Sequence, residues 1–142
     1  MFAAFDRATW NIGNNAAQGA SDALSLTSDT SIGAIQYGDG DGTEATAFLD
    51  RSLLTKVVAL PVDAQYVKVI CQQDTAVMVT SPGQTSVEHA CTGSDTLPGY
   101  VYLGAAENGV YIVAGTLIEA NDPIYVMYEA AATNDEHNLF GF

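Results

Sequence analysis

The sequence predicts an all-β fold with little helix: a small β-sandwich or barrel-like domain carrying an extended N-terminal arm. Three observations predict it. From Lys56 onward the chain is a series of short runs rich in Val, Ile, Tyr and Thr, residue types that suit a pleated, half-buried surface. Clusters of Gly, Pro, Asn, Asp and Ser separate these runs at short intervals, as in sandwiches and small barrels. The 142 residues fit one domain, long enough to bury roughly two-thirds of the unfolded surface.

Residues 1–30 are rich in Ala, Asn, Ser, Asp and Thr and carry no sustained period, so they read as an irregular arm. Within them Leu24 and Leu26 alternate with Ser25 and Thr27 and mark one short strand. Residues 32–37 form another, ending in Gly38-Asp39-Gly40-Asp41-Gly42, a turn because glycine accepts positive φ. In residues 43–54, Ala45, Phe48, Leu49 and Leu53 recur at roughly helical spacing, which leaves a short helix and a strand both open. Residues 56–60 make a strand that Pro61 stops.

Tyr66-Val67-Lys68-Val69-Ile70-Cys71 and Thr75-Ala76-Val77-Met78-Val79-Thr80 flank Gln72-Gln73-Asp74, the spacing of a hairpin. Ser81-Pro82-Gly83 turns the chain, and residues 84–99 are polar, a loop with at most one edge strand. Residues 100–103 and 109–113 bracket Ala105-Ala106-Glu107-Asn108 as a second hairpin. The apolar runs Val110-Tyr111-Ile112-Val113 and Ile124-Tyr125-Val126 are joined by a polar elbow holding Glu119, Asn121, Asp122 and Pro123, which reads as a turn. Residues 123–128 are the last expected strand. The β domain thus covers residues 31–130, and residues 131–142 are a tail packing on the core or on a neighbour.

The charge balance is extreme, 17 acids against 4 bases for a net −13. The bases are Arg7, Arg51, Lys56 and Lys68, so no Lys or Arg follows Lys68. Such a surface repels phosphate backbones, because nucleic-acid binding needs Lys and Arg to displace counterions. It also disfavours anionic membranes. Nucleic acid and membrane are therefore not expected partners. The acidity fits solubility, a high-salt host or a basic partner surface, and the sequence does not separate these.

The start MFAAFDRATW lacks a basic region followed by a long apolar core, and no apolar run reaches the ~18 residues of a membrane span. The expectation is a soluble chain made in the cytoplasm. Cys71 and Cys91 are then expected as reduced, small buried hydrophobes. A bridge between them would close a loop of about 20 residues and stabilise by roughly 3 kcal/mol.

Catalytic and metal-binding chemistry find no foothold. His89 follows Glu88 in a polar loop and His137 follows Glu136 in the tail, and both read as exposed loop residues. There is no G-x-S-x-G, no phosphate-binding glycine motif and no Cys-rich zinc spacing. Asp39, Asp41, Thr43 and Glu44 gather hard oxygen donors, but an EF-hand starting at Asp39 needs glycine where Glu44 stands and glutamate where Asp50 stands. That segment reads as a solvated turn. No catalytic residue, cofactor or metal is expected.

The aromatics carry more. Phe2, Phe5 and the single tryptophan, Trp10, lie in the patternless arm, and Leu139, Phe140 and Phe142 end the chain. They either cap the protein's own core or dock on neighbouring subunits, where aromatic anchors dominate binding. These six residues are the candidate interface set. The tyrosines fit both carbohydrate contact and ordinary strand packing.

Residues 109–126 read GVYIVAGTLIEANDPIYV. This strand–turn–strand phrase resembles the C-terminal parts of small head-decoration and head-fibre proteins of tailed viruses. The resemblance implies a small β protein, often trimeric, that binds the outside of a capsid lattice. It also implies residence in the virion after synthesis in the host cytoplasm, with the major capsid protein and copies of itself as partners. It carries no contact residues. The leading expectation is therefore a non-enzymatic capsid decoration or cement subunit; the alternative is a carbohydrate-binding or adhesion β-sandwich.

Overall fold

The computed structural model describes residues 27–29, 35–37, 45–47, 50–94, 98–104, 112–133 and 136–139. Among these there is no α-helix, and the fold is all-β as the sequence predicts. The strands are β1 (Ile35–Tyr37), β2 (Ala45–Ala47), β3 (Thr55–Ala59), β4 (Ala64–Cys71) and β5 (Thr75–Thr80). They continue with β6 (Val87–Cys91), β7 (Gly99–Gly104), β8 (Leu117–Ala130) and β9 (Glu136–Leu139). β1 and β2 pair with each other; the other seven form one sheet.

β8, 14 residues long, is the spine. Its first part lies between β3 and β5, with Ile118 opposite both Val58 and Val79. Its last part lies between β9 and β4, with Val126 opposite both Leu139 and Val69. β6 extends the first half beyond β5, and β7 extends the second half beyond β4. All these pairings are antiparallel. Two four-stranded halves, β3-β8-β5-β6 and β9-β8-β4-β7, thus share β8 and bend over a common core. This is how a sandwich or barrel turns corners: strands pass from one half to the other through bends and bulges.

Alternation of side chains builds that core. The second half contributes Val67, Val69, Val101, Leu103, Val126 and Tyr128; the first contributes Val58, Val77, Val79 and Ile118, in one contiguous cluster. Val67, Val69, Val77, Ile118 and Val126 are fully buried. Leu139 of β9 packs against the same cluster.

Three corners lie side by side. On β8 the corner is the polar elbow: between Glu119 and Ile124 the pairing with β3 shifts, so that Val57 and Thr55 face residues five apart. Asn121, Asp122 and Pro123 fill this bulge. Pro123 has no N–H to contribute to a ladder and is tolerated at a bulge. The Lys56 ammonium donates to the Asn121 carbonyl, and the Asp122 N–H donates to Thr75 Oγ1 at 3.2 Å. The second corner is residues 72–74, between β4 and β5. The third lies between β6 and β7, where the Gly93 N–H donates to Asp74 Oδ1 at 3.1 Å.

This arrangement corrects three sequence expectations. The elbow at Glu119–Pro123 does not reverse the chain; it bends a single strand. The runs 66–71 and 75–80 are not a hairpin, because both lie end to end along the same edge of β8. Ile112, expected in a strand paired with residues 100–103, instead bridges Ala64; residues 105–111 lie outside the described residues. In the first two, local spacing suited a turn, but long-range pairing along β8 satisfies more backbone groups; in the third, Ile112 exchanges both backbone hydrogen bonds with Ala64 of β4. β9 also adds a strand beyond residues 123–128.

Cys71 and Cys91 are disulfide-bonded, with a Cα separation of 6.2 Å, and not reduced as expected. Each is 1% exposed. Cys71 ends β4 and Cys91 ends β6, so the bridge ties the two halves at the corners. Thr75 faces Cys91 and Gly99 faces Cys71. The folding of the ribbon, and not the 20-residue spacing, brings the sulfurs together.

Local chemistry explains the remaining turns. The Asp50 carboxylate caps a 3-10 turn, Arg51–Leu53, by accepting the Ser52 N–H at 2.8 Å and the Ser52 hydroxyl at 2.6 Å. These bonds hold the Asp50 carboxyl below its ordinary range. Of residues 43–54, the described ones hold a strand at Ala45–Ala47 and one tight turn at Arg51–Leu53, with no α-helix among them. At Ser81-Pro82-Gly83, proline presets φ, Gly83 supplies φ of 73°, and the Gln84 N–H closes the turn on the Ser81 carbonyl at 3.0 Å.

Candidate interaction surface

The outward side chains of the second half form the most distinctive surface among the described residues. Strand alternation that sends Val67, Val69, Val101 and Val126 inward sends Tyr66, Lys68 and Ile70 of β4 outward, with Tyr100 and Tyr102 of β7 and Tyr125, Met127 and Glu129 of β8. Asn138 of β9 joins them. The register sets three rows. Tyr125, Ile70 and Tyr100 make one; Asn138, Met127, Lys68 and Tyr102 the next; Glu129, Tyr66 and Gly104 the last, on their three strands.

The face is organised by its aromatic rings. Tyr66 and Tyr102 stack with centroids 5.7 Å apart. Such a pair contributes roughly 0.5–1.5 kcal/mol beyond its area. Tyr102 reaches its partner across Gly104, where a Cβ would lie 2.3 Å from the Tyr102 ring. The Lys68 ammonium sits 6.0 Å from the Tyr66 ring centroid, a cation–π contact. The Tyr125 hydroxyl and Asn138 Oδ1 are 2.5 Å apart, the hydroxyl donating. Most of these side chains are half-buried; Met127, at the centre, is only 5% exposed although it lies outside the core cluster.

The outer face of the first half differs. There Val57, Glu119, Met78 and Glu88 form a row, with both glutamates and Val57 exposed. Among the described residues the two outer faces thus differ, one tyrosine-rich around Lys68, the other carrying Glu119 and Glu88.

His89 and His137, expected in loops, lie in β6 and β9. His89 faces Val77, and the His137 ring lies 5.2 Å from Tyr128. No three His, Cys, Asp or Glu side chains converge on a metal position among the described residues. Asp39, Asp41, Thr43 and Glu44 lie outside the described residues, as do Phe2, Phe5, Trp10, Phe140 and Phe142 of the interface set. Leu139 is half-buried against the protein's own core.

Tyr128 supplies a prediction. It points inward, and burial pushes its phenol above the ordinary 10.0. The unfolded chain therefore loses this proton first as pH rises. Tyr128 is expected to sustain stability fully below pH 10.0 and to lose that contribution above it. An absorbance titration of tyrosinate should contain a late component that Tyr128→Phe removes; an unchanged late component would assign it elsewhere.

Comparison with known protein families, characterised proteins and solved structures gives no match to this chain.

Proposed function

We propose that the protein is a virion structural component, a decoration or cement subunit on the outside of a tailed-virus head. The observation that carries this reading is the tyrosine face set on a cross-linked β frame. Half-buried aromatic clusters with a polar margin are the makeup of protein contact surfaces. A frame pinned by a disulfide at its corners holds such a surface in one shape. The resemblance of residues 109–126 to head-decoration and head-fibre proteins supports the same reading, and the net charge of −13 suits an outward position away from packaged DNA. Its partners are then the major capsid protein and further copies, in a homotrimer.

The test is addition of the purified protein to capsids of the virus that encodes it. Saturable binding that raises the capsid melting temperature is the expected result; no co-sedimentation at any concentration would overturn the reading. A second reading, a carbohydrate-binding or adhesion module, draws on the stacked Tyr66–Tyr102 pair. It predicts glycan binding by the isolated protein that Tyr102→Ala abolishes.

Assembly of so acidic a chain carries a salt prediction. Repulsion grows when copies crowd around an axis, and 4 bases cannot neutralise 17 acids. Screening shortens its reach from about 30 Å at 0.01 M salt to about 3 Å at 1 M. Oligomer population and melting temperature are both expected to rise with NaCl. Dissociation of the oligomer by salt, seen by light scattering, would mean that opposite charges hold it together.

A further inference from the structure

We propose that the outer edge of β6 is a self-complementary interface that joins two copies of the chain about a two-fold axis, β6 against β6, into one continuous antiparallel sheet. It goes beyond the decoration reading and does not rest on it. β6 belongs to the half of the ribbon that does not carry the tyrosine face, so the contact is separate from the one assigned to a capsid.

Strand edges in folded proteins are commonly covered or blocked. β9 lies against β2. β3 closes its own edge: Thr55 Oγ1 accepts the Val57 N–H at 3.3 Å and donates to the Val57 carbonyl at 3.0 Å. Tyr100 and Tyr102 of β7 are engaged in further contacts. β6 pairs with β5 and, among the described residues, with no other strand.

The ladder fixes which backbone groups β6 offers. The Leu60 N–H donates to the Thr116 carbonyl at 2.9 Å, and the Leu60 carbonyl accepts the Gly115 N–H at 2.8 Å, so both Leu60 groups point toward the start of β8. Along an antiparallel strand, successive residues turn these groups to alternate sides. Followed through the register, Val58 faces β8, Ile118 faces β3, Leu117 and Glu119 face β5, Val77 and Val79 face β6, and Val87 and His89 face β5. The backbone groups of Ser86, Glu88 and Ala90 therefore point outward. The side chains show a core that stops short at the same edge. Val58, Ile118, Val79 and Val87 form one inward row. The first three are buried, whereas Val87 at its end is 53% exposed, more than any other large hydrophobic among the described residues. One more apolar residue beyond Val87 would complete the row.

A second copy supplies that residue in one register. A two-fold axis normal to the sheet keeps inward side chains with inward ones, so it passes between a residue and its own copy. Through Glu88 it would set two carboxylates directly opposite, which is destabilising. Through His89 it would set Val87 against Cys91, which is 1% exposed and held at the corner by its bridge. Through Ser86 it would set Glu88 against Gln84, whose N–H already closes the turn on Ser81 at 3.0 Å. Through Val87 it sets Val87 against the partner's Val87, Ser86 against the partner's Glu88 and Thr85 against the partner's His89. Ser86 and the partner's Glu88 both have outward backbone groups and exchange their hydrogen bonds. The two valines fall at a non-hydrogen-bonded position, where Cβ atoms lie about 4.5–5.5 Å apart. Ser86 Oγ is 2.7 Å from Thr80 Oγ1. With Thr80 as donor, the Ser86 hydroxyl donates to the partner's Glu88 carboxylate. The two glutamates stand on opposite sides of the axis, so the charge that spoils a neighbouring register is satisfied in this one.

Cross-linking across the axis tests the register. The purified protein is held in high salt, where the repulsion between copies of charge −13 is screened. Under mild oxidation Val87→Cys is expected to give covalent pairs on non-reducing electrophoresis, several-fold faster than Glu88→Cys or His89→Cys at the same concentration. Cys71 and Cys91 are buried and bridged to each other, and so stay out of the exchange. Sedimentation of the unmodified protein should show pairing that grows with concentration. Val87→Glu should weaken it about tenfold, because like charges then meet at the axis. Ser86→Lys, facing the partner's Glu88, should tighten it. Val87 and Ser86 are exposed, so an unchanged far-UV circular dichroism spectrum is expected for both variants. Equal cross-linking of the three cysteine variants, or no cross-linking of Val87→Cys at millimolar concentration, would overturn the proposal. In a protein that sediments as a trimer the same readout decides: covalent pairs linking trimers support the β6 contact, and unlinked Val87→Cys trimers overturn it. None of these measurements involves capsids, so failure here leaves the decoration reading to its own test.

Discussion

Removing the Cys71–Cys91 bridge is expected to lower the unfolding free energy by about 3 kcal/mol. The bridge joins residues 20 apart. Closing a loop of that size removes unfolded-chain entropy worth roughly 3 kcal/mol. For a domain of this length that loss corresponds to a fall in melting temperature on the order of 10 °C. Both sulfurs are buried, so Cys71→Ala with Cys91→Ala also forfeits some packing. Urea unfolding of the oxidised protein, the reduced protein and the double variant measures the two parts separately. The oxidised-minus-reduced difference is the cross-link; the remainder is the lost sulfur volume. Equal midpoints for the oxidised and reduced forms would mean that the corners hold without the bridge.

The bridge also marks where sequence reasoning stopped. The period-2 alternation of 66–71 and 75–80 identified strands and inward residues, since alternation is a property of neighbouring residues. Which strand pairs with which is not. Gln72-Gln73-Asp74 has the length and polarity of a hairpin turn. Its part in a bent ribbon appears only once β8 runs alongside both flanking strands. The elbow at Asn121-Asp122-Pro123 misled for the same reason: its residues favour a turn and equally a bulge, and the partner strand decides. The cysteines followed. Their spacing permitted a bridge, but only the folded corner gives Cys71 and Cys91 a common position.

The tyrosine face was half legible. Tyr66, Lys68 and Ile70 alternate visibly with Val67 and Val69, as Tyr100 and Tyr102 do with Val101 and Leu103. Two equally apolar faces do not say which one turns outward. The residue that sets the outward face apart in the sequence is Lys68, a charge placed among tyrosines on a strand in a lysine-poor chain.

The corner makes a second large-effect prediction, at Gly99. A Cβ there would lie 1.8 Å from the Thr92 carbonyl oxygen and 2.4 Å from its carbon. These are backbone atoms, so no side chain can swing aside. Gly99→Ala must part the chain after β6 from the start of β7, and with it the pairing of Gly99 with Cys71. The expected cost is about 3 kcal/mol or more, at the upper end for added volume in a packed site. Gly83→Ala is the contrast: it meets nothing within 4 Å and has only its φ of +73° against it, a penalty of about 1–2 kcal/mol. The informative measurement is the cycle. The disulfide and the Gly99 contact constrain the same opening, so Gly99→Ala should cost less in the Cys71→Ala, Cys91→Ala background, where the halves can separate. Neighbouring sites that share a constraint couple by roughly 0.5–3 kcal/mol, whereas independent ones add to within about 0.5 kcal/mol. Additive losses in urea unfolding would show that the three corners yield separately and do not act as one hinge.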